Sequence, residues 1–167
     1  MAQIVSPEGL LDLRTEWRRK AMRAVLAMGA FDLLHPGHVR LLEQARSLGD
    51  ILVVAVENDG DVRAAAEKDR GKIPARRPVV PLSERAEILA ALAAVDFVTE
   101  LRNVSPAAWI ERFRPDIYVQ GGRSPVLLGA TPSVEKAAGA GWDIVNIPLE
   151  PGYSTAALIE RIQQIRQ

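Results

Sequence analysis

Cysteine is absent from the 167-residue chain, which excludes disulfides, cysteine-based zinc sites and thiol catalysis. Such a composition suits a reducing compartment, and the expected location is the cytoplasm. The chain also lacks a surplus of either charge. Lysine plus arginine total 21 and aspartate plus glutamate total 21, so no overall field draws the protein to nucleic acid or to an anionic membrane. Any anionic partner must be held by a local site. Long apolar runs are missing too. The first twenty residues, MAQIVSPEGLLDLRTEWRRK, carry acidic residues ahead of their basic cluster and read as neither a signal peptide nor a membrane span. With no internal repeat and no low-complexity linker, and with 48% hydrophobic residues, residues 1–167 are expected to form one soluble domain. Histidine is nearly absent: the only two are His35 and His38.

What is present is an alternation of apolar runs and amphipathic stretches. Ser6 can cap a first helix with Pro7 at its first position, followed by Leu10, Leu13 and Trp17 at helical spacing. The runs AVLAM (24–28) and ILVVAV (51–56) are short and wholly apolar, as parallel strands covered on both faces must be. Between them Val39, Leu42 and Ala45 mark the buried face of a helix, and Gly49 sits where a left-handed C-terminal cap would fall. The alternation continues with a helix at 83–92, a strand at 97–99 and a helix from Ser105 and Pro106. A strand at DIYV, a helix at 134–140, a strand at DIVNI and a helix from Ser154 complete it. About five strands, each followed by a helix, predict an α/β fold built on a doubly wound parallel sheet. Residues 67–85, with three prolines and many basic residues, cannot be one helix and are a candidate active-site loop.

Both histidines fall in GAFDLLHPGHVRLL (29–42), where the first apolar strand gives way to a helix. In doubly wound sheets ligands bind beyond the carboxyl ends of the strands, where helix N-termini present free N–H groups. His35 and His38, at i and i+3 of a helix start, can face the same way and donate to phosphate oxygens. Capping of backbone groups is the plainer alternative. A zinc site with Asp32 as third ligand finds no further histidine or cysteine to complete it, so no protein-bound metal is expected. A Rossmann dinucleotide site is excluded because no G-x-G-x-x-G follows the first strand.

GAFDLLHPGHVRLLEQARSLGD resembles the signature of the cytidylyltransferase-like nucleotidyltransferases, with His35, Pro36, Gly37 and His38 as the H-x-G-H motif. RRPVVPLSERAEILAALAAVDFV, RPDIYVQGG and PGYSTAALIERI are similar, in order and spacing, to blocks of the heptose-1-phosphate adenylyltransferases. Glycerol-3-phosphate cytidylyltransferase is a more distant likeness. The resemblance implies a Rossmann-like enzyme that transfers a nucleoside monophosphate, AMP by preference, from ATP or CTP to a phosphorylated sugar or polyol. Pyrophosphate leaves, and Mg²⁺ accompanies the triphosphate. His35, His38 and a lysine of the loop after the second strand, Lys72 before Lys68, would stabilise charge on the transferring phosphate. Gly29, Ala30, Phe31, Asp32, Arg85, Gly121, Gly122, Ser154 and Thr155 would line the nucleotide.

Plainer roles remain open for several of these. Asp32 could orient its loop or take part in binding Mg²⁺; Arg85 could be a surface helix residue paired with Glu84 or Glu87; Ser154 could be only a helix cap. Where the heptose enzymes typically read lysine, glycine, glycine, aspartate, tyrosine, this chain has Gln120, Gly121, Gly122, Arg123 and Ser124. Ala27 and Met28 replace a polar pair, and the usual S-T-T is Ser154, Thr155, Ala156. Gln120 and Arg123 are therefore expected to set the acceptor, which leaves a cytidylyltransferase acting on a polyol or another sugar phosphate, and a non-catalytic nucleotide-binding protein of the same fold, as alternatives. A homodimer is compatible with all of these readings.

Overall fold

The structure is a computed structural model and describes residues 1–68, 77–102, 104–121, 133–136, 141–148 and 152–165, the segment 133–136 by its main chain. A sheet of seven strands carries the fold: β1 (Gln3–Ile4), β2 (Ala24–Gly29), β3 (Ile51–Glu57), β4 (Phe97–Leu101), β5 (Ile117–Gly121), β6 (Ser133–Lys136) and β7 (Asp143–Ile147). Their order is β1-β4-β3-β2-β5-β7-β6, and every neighbouring pair is parallel except β6 with β7. The helices are α1 (Pro7–Arg19), α2 (Pro36–Arg46), α3 (Asp59–Lys68), α4 (Leu82–Ala90), α5 (Pro106–Phe113) and α6 (Thr155–Gln164).

The apolar runs are explained by burial on two faces. Along β3, Leu52, Val54 and Val56 enter one core with α2 and α4, while Ile51, Val53 and Ala55 enter a second core with α1 and α5. The alternation is invisible in the sequence because both sides are dry. The five expected parallel strands are all present. The chain leaves β2 through α2 toward β3 on one side and returns through α5 to β5 on the other. The gap between the carboxyl ends of β2 and β5 is thus the point where the winding reverses. Three aspartates pin the opposite edge: Asp50, Asp96 and Asp116 accept from the amides of Arg23, Leu52 and Ala24 at 2.7–2.8 Å.

Several expectations need correction. The helix expected at 134–140 is not formed over residues 134–136, which belong to strand β6, antiparallel to β7; residues 137–140 lie outside the described set. An edge strand such as β7 exposes a row of unpaired backbone groups, and pairing them outweighs the weak helical preference of a short segment. With β1 and β6 the strand count rises from about five to seven, and the sheet is parallel except at one edge. Helix α3 was not expected and takes in Glu67 and Lys68 of the irregular segment. Its one buried residue is Val62, so it has no apolar period to read; Asn58 starts it instead, Oδ1 accepting from the Asp61 amide at 2.9 Å. Gly49 is not a left-handed cap either. Helix α2 ends at Arg46 with Ser47 in right-handed geometry, and Gly49 is required by crowding, since a Cβ there would meet Val25 at 2.7 Å and the Arg23 carbonyl at 2.8 Å.

Candidate active site

The site grows from the loop between β2 and α2, at the winding reversal. Phe31 and Leu33 both adopt φ of 47°, a left-handed backbone that side chains with a Cβ occupy only when the surroundings force it. They bracket Asp32, which is fully buried. The Asp32 carboxylate accepts from the amides of Val79 and Val80 at 3.0 Å and from Nε of Arg77 at 3.1 Å. Its backbone carbonyl accepts from the Thr155 hydroxyl at 2.9 Å. One aspartate therefore ties together the β2–α2 loop, the segment before α4 and the start of α6. Of its two expected roles, these bonds describe the orienting one: a carboxylate with no exposure and three donors holds its loop in place.

His35 and His38 lie at the start of α2 with ring centroids 3.8 Å apart and planes within 16°, a face-to-face stack. Phe31 meets His38 edge-on at 5.6 Å, and Tyr153 lies over His35 at 6.4 Å and 25°. His35 makes no side-chain cap on α2, which removes the plainer alternative for that residue. Nδ1 of each imidazole is buried and has no hydrogen-bond partner among the described residues. Gly37 lets the rings approach: a Cβ there would stand 3.0 Å from the Tyr153 Cβ and 3.1 Å from His35 Nδ1.

Burial pushes the His38 imidazole down to about 4; the adjacent His35 and the positive Arg77 push the same way, and Asp32 opposes them. Burial also lowers His35. Both rings are neutral at pH 7, and the fixed positive charge beside them comes from Arg77, whose side chain is 13% exposed. Arg77 was overlooked among the loop's basic residues, and its position directly before a proline near α4 was the available signal. A pH prediction follows. The unfolded chain binds a proton at His38 near pH 6.5 whereas the folded chain resists it down to about 4, so stability falls as pH drops through that window. Glu57, raised by burial and by Asp61, acts in the opposite sense: its stabilisation is present at low pH and lost as pH rises. Urea unfolding of wild type against His38→Gln isolates the histidine term. The variant is expected to lose less stability between pH 7 and 4.5, by on the order of 2 kcal/mol after discounting for partial exposure; identical losses would contradict the buried neutral ring.

Arg85 is 1% exposed, so the surface alternative with Glu84 or Glu87 is overturned. It donates to the carbonyls of Ala30, of Val80 at 2.9 Å and of Glu57 at 2.9 Å, and pairs with Asp59 at 2.7 Å. Any contribution to a nucleotide passes through the loop that it braces. Ser154 caps α6 by accepting from the Ala157 amide at 3.1 Å, while Thr155 is buried. The first-turn amides of α6 nevertheless point out of the helix start, beside the histidines. Gly29 and Ala30 are half-buried at the end of β2. At the end of β5, Gln120 is half-buried and Gly121 exposed, in register with Asn146 and Ile147 of β7. Lys68 is exposed at the last position of α3; Lys72, Gly122 and Arg123 lie outside the described residues. Among the described residues no group of three or more histidine, aspartate or glutamate side chains could hold a metal ion. No helix among them is long and apolar enough to cross a membrane.

The profile of the family described as Cytidylyltransferase-like matches residues 26–161, spanning the β2–α2 loop and the start of α6. The chain is 42% identical over 162 residues to the Bifunctional protein HldE of Koribacter versatilis, covering 96% of this chain and 31% of that protein. It is 40% identical over 156 residues to the Bifunctional protein HldE of Syntrophotalea carbinolica, covering 93% and 30%. The chain thus spans about a third of the length of the curated relatives it matches. The lipopolysaccharide core biosynthesis protein of Thermoplasma volcanium superposes with a TM-score of 0.53 at 24% identity, over 77% of this chain and 97% of that one. The pantoate-beta-alanine ligase of Francisella tularensis, solved with an ATP analogue and beta-alanine, superposes with a TM-score of 0.60 at 13% identity, over 96% and 73%. At these identities the two structures share the fold.

Proposed function

The chain belongs to the cytidylyltransferase-like family of nucleotidyltransferases, and from that premise we propose that it transfers AMP from ATP to a sugar phosphate, heptose 1-phosphate foremost, releasing pyrophosphate. The observation that carries this reading is the stacked, neutral histidine pair at the N-terminus of α2, at the reversal of the sheet. An acceptor phosphate oxygen attacks the α-phosphorus in line; the new O–P bond forms as the bond to the bridging oxygen breaks, and the electron pair leaves with pyrophosphate. No covalent enzyme intermediate is required, so the protein must orient two anions and stabilise charge on the phosphoryl oxygens.

The residues suit that task. An unpartnered buried lone pair costs less than an unpartnered buried N–H, so each neutral imidazole keeps its proton on Nε2 and presents a donor there. The helix ends of α2 and α6 add partial positive charge. Arg77 adds a guanidinium whose charge is partly met by Asp32 through Nε, and Lys72 of the same loop would add a full charge. Mg²⁺ carried in with the triphosphate would supply charge neutralisation for the leaving pyrophosphate. Gly29, Ala30, Phe31, Gly121, Gly122, Ser154 and Thr155 frame the nucleotide, and Gln120 and Arg123 select the acceptor.

Pyrophosphate release over a matrix of ATP and CTP against heptose 1-phosphate, glycerol 3-phosphate and other sugar phosphates tests the reading. Release is expected with ATP and a sugar phosphate. Release confined to CTP with a polyol phosphate would move the assignment to cytidylyl transfer, and a folded protein inert across the matrix would end it.

A further inference from the structure

A catalytic imidazole is usually held in plane by a hydrogen bond to its second nitrogen, which fixes both tautomer and ring orientation. Among the described residues no neighbour supplies that bond. Nδ1 of His35 and Nδ1 of His38 are both buried without a partner among the described residues. What fixes the rings instead is a column of stacked groups that runs from the core to solvent. Phe31, 7% exposed, meets His38; His38 stacks on His35; His35 stacks on Tyr153; and the Arg40 guanidinium lies over the Tyr153 ring at 5.6 Å. The inner end is packed in the core through Phe31. The outer end depends on Tyr153, which is 37% exposed.

We propose that Tyr153 is the positioning residue of His35: its ring, carried on a Cβ that sits close to Gly37 and covered by Arg40, holds the His35 imidazole stacked on His38 so that both Nε2 edges face the transferring phosphate together. The inference rests on the histidine pair being the phosphate-facing one. Three observations support it. At Gly37 the Tyr153 Cβ and the His35 ring close in so far that an added Cβ would stand only 3.0 and 3.1 Å from them. Tyr153 directly precedes Ser154, the cap of α6, so one turn of chain sets both the phosphate-facing helix start and the ring that steadies His35. Aromatic contacts of this kind and a cation over a ring face are each weak but additive, enough to select one ring orientation among several without rigidifying the fold. Among the described residues the charged groups beside the column include Arg40 beyond Tyr153 and the Asp32–Arg77 ion pair on the side of His38.

Because the chain has only two histidines, their imidazole resonances can be followed one by one. Tyr153→Ala is expected to remove the ring-current shift on His35, to raise its titration midpoint toward that of an exposed histidine as water enters, and to lower kcat about tenfold to a hundredfold with KM for the triphosphate nearly unchanged, the scale of a misplaced catalytic group. Tyr153→Phe keeps the ring and is expected to restore all three. Two results would overturn the proposal: a His35 resonance and midpoint unmoved in Tyr153→Ala, or a Tyr153→Phe variant as impaired as Tyr153→Ala. If wild type releases no pyrophosphate with any substrate pair yet Tyr153→Ala still shifts the His35 resonance, the proposed function fails and the positioning role stands.

Discussion

His38→Ala is expected to lower turnover by about two to four orders of magnitude while the protein stays folded, the range for losing a positioned donor to a developing charge. The fold is spared because the His38 side chain makes no hydrogen bond that the fold needs: its Nδ1 has no partner among the described residues, and its ring contacts there are an edge-on one with Phe31 and the stack on His35. Removing it leaves a small gap beside a half-exposed site. The chemistry is not spared, because a neutral imidazole acts on the phosphoryl oxygens only while charge is building there, so its loss appears in kcat rather than in KM for the triphosphate. Nucleotide with Mg²⁺ should still raise the melting temperature of the variant, since the first-turn amides of α2 and α6 and the Arg77 guanidinium remain. Steady-state kinetics and a thermal shift on the same sample check this; a normally folded variant with near-wild-type turnover would remove the phosphate role from His38.

How much of this could be read beforehand depended on whether a residue's role was written in local pattern. Strands β2 and β3 were legible because burial on both faces makes them continuous apolar runs, the other three central strands as shorter apolar stretches between helices, and the start of α1 because Ser6 and Pro7 are local cap chemistry. The histidine pair was legible through scarcity and i, i+3 spacing. Helix α3 was not, since it buries only Val62 and depends on the Asn58 cap, and β6 was not, since its conformation is imposed by the free edge of β7. The aspartates that pin the sheet edge follow a local rule that was missed: Asp50, Asp96 and Asp116 each stand directly before a strand. Tyr153 and Arg77 were illegible for another reason. Their partners, His35 and Asp32, lie 118 and 45 positions away, and no periodicity links such distances. Arg85 belongs with them, because whether its partners were its own helix neighbours or distant carbonyls could be decided only by packing.

Arg85→Met is expected to cost about 3–5 kcal/mol of folding stability, the largest such loss of any single change at this site. The ion pair is not the main reason. Asp59 is 39% exposed on its side-chain surface and can be solvated once its partner leaves, so Asp59→Asn should cost less than about 1 kcal/mol. The loss comes from the carbonyls of Ala30, Val80 and Glu57, which three guanidinium nitrogens now satisfy where a methionine of similar length has no donor to offer. Ala30 precedes Phe31, which is held at φ 47°, so freeing its carbonyl also releases the strained loop that carries Asp32 and the histidines. Turnover should therefore fall in Arg85→Met even at temperatures where the variant remains folded. Arg85→Lys, with one point charge in place of a planar fork, should lie between the two variants. Urea unfolding and turnover of the three proteins test the argument. A loss in Arg85→Met no larger than in Asp59→Asn would show that the three carbonyls find other donors and that the guanidinium is not what holds the loop.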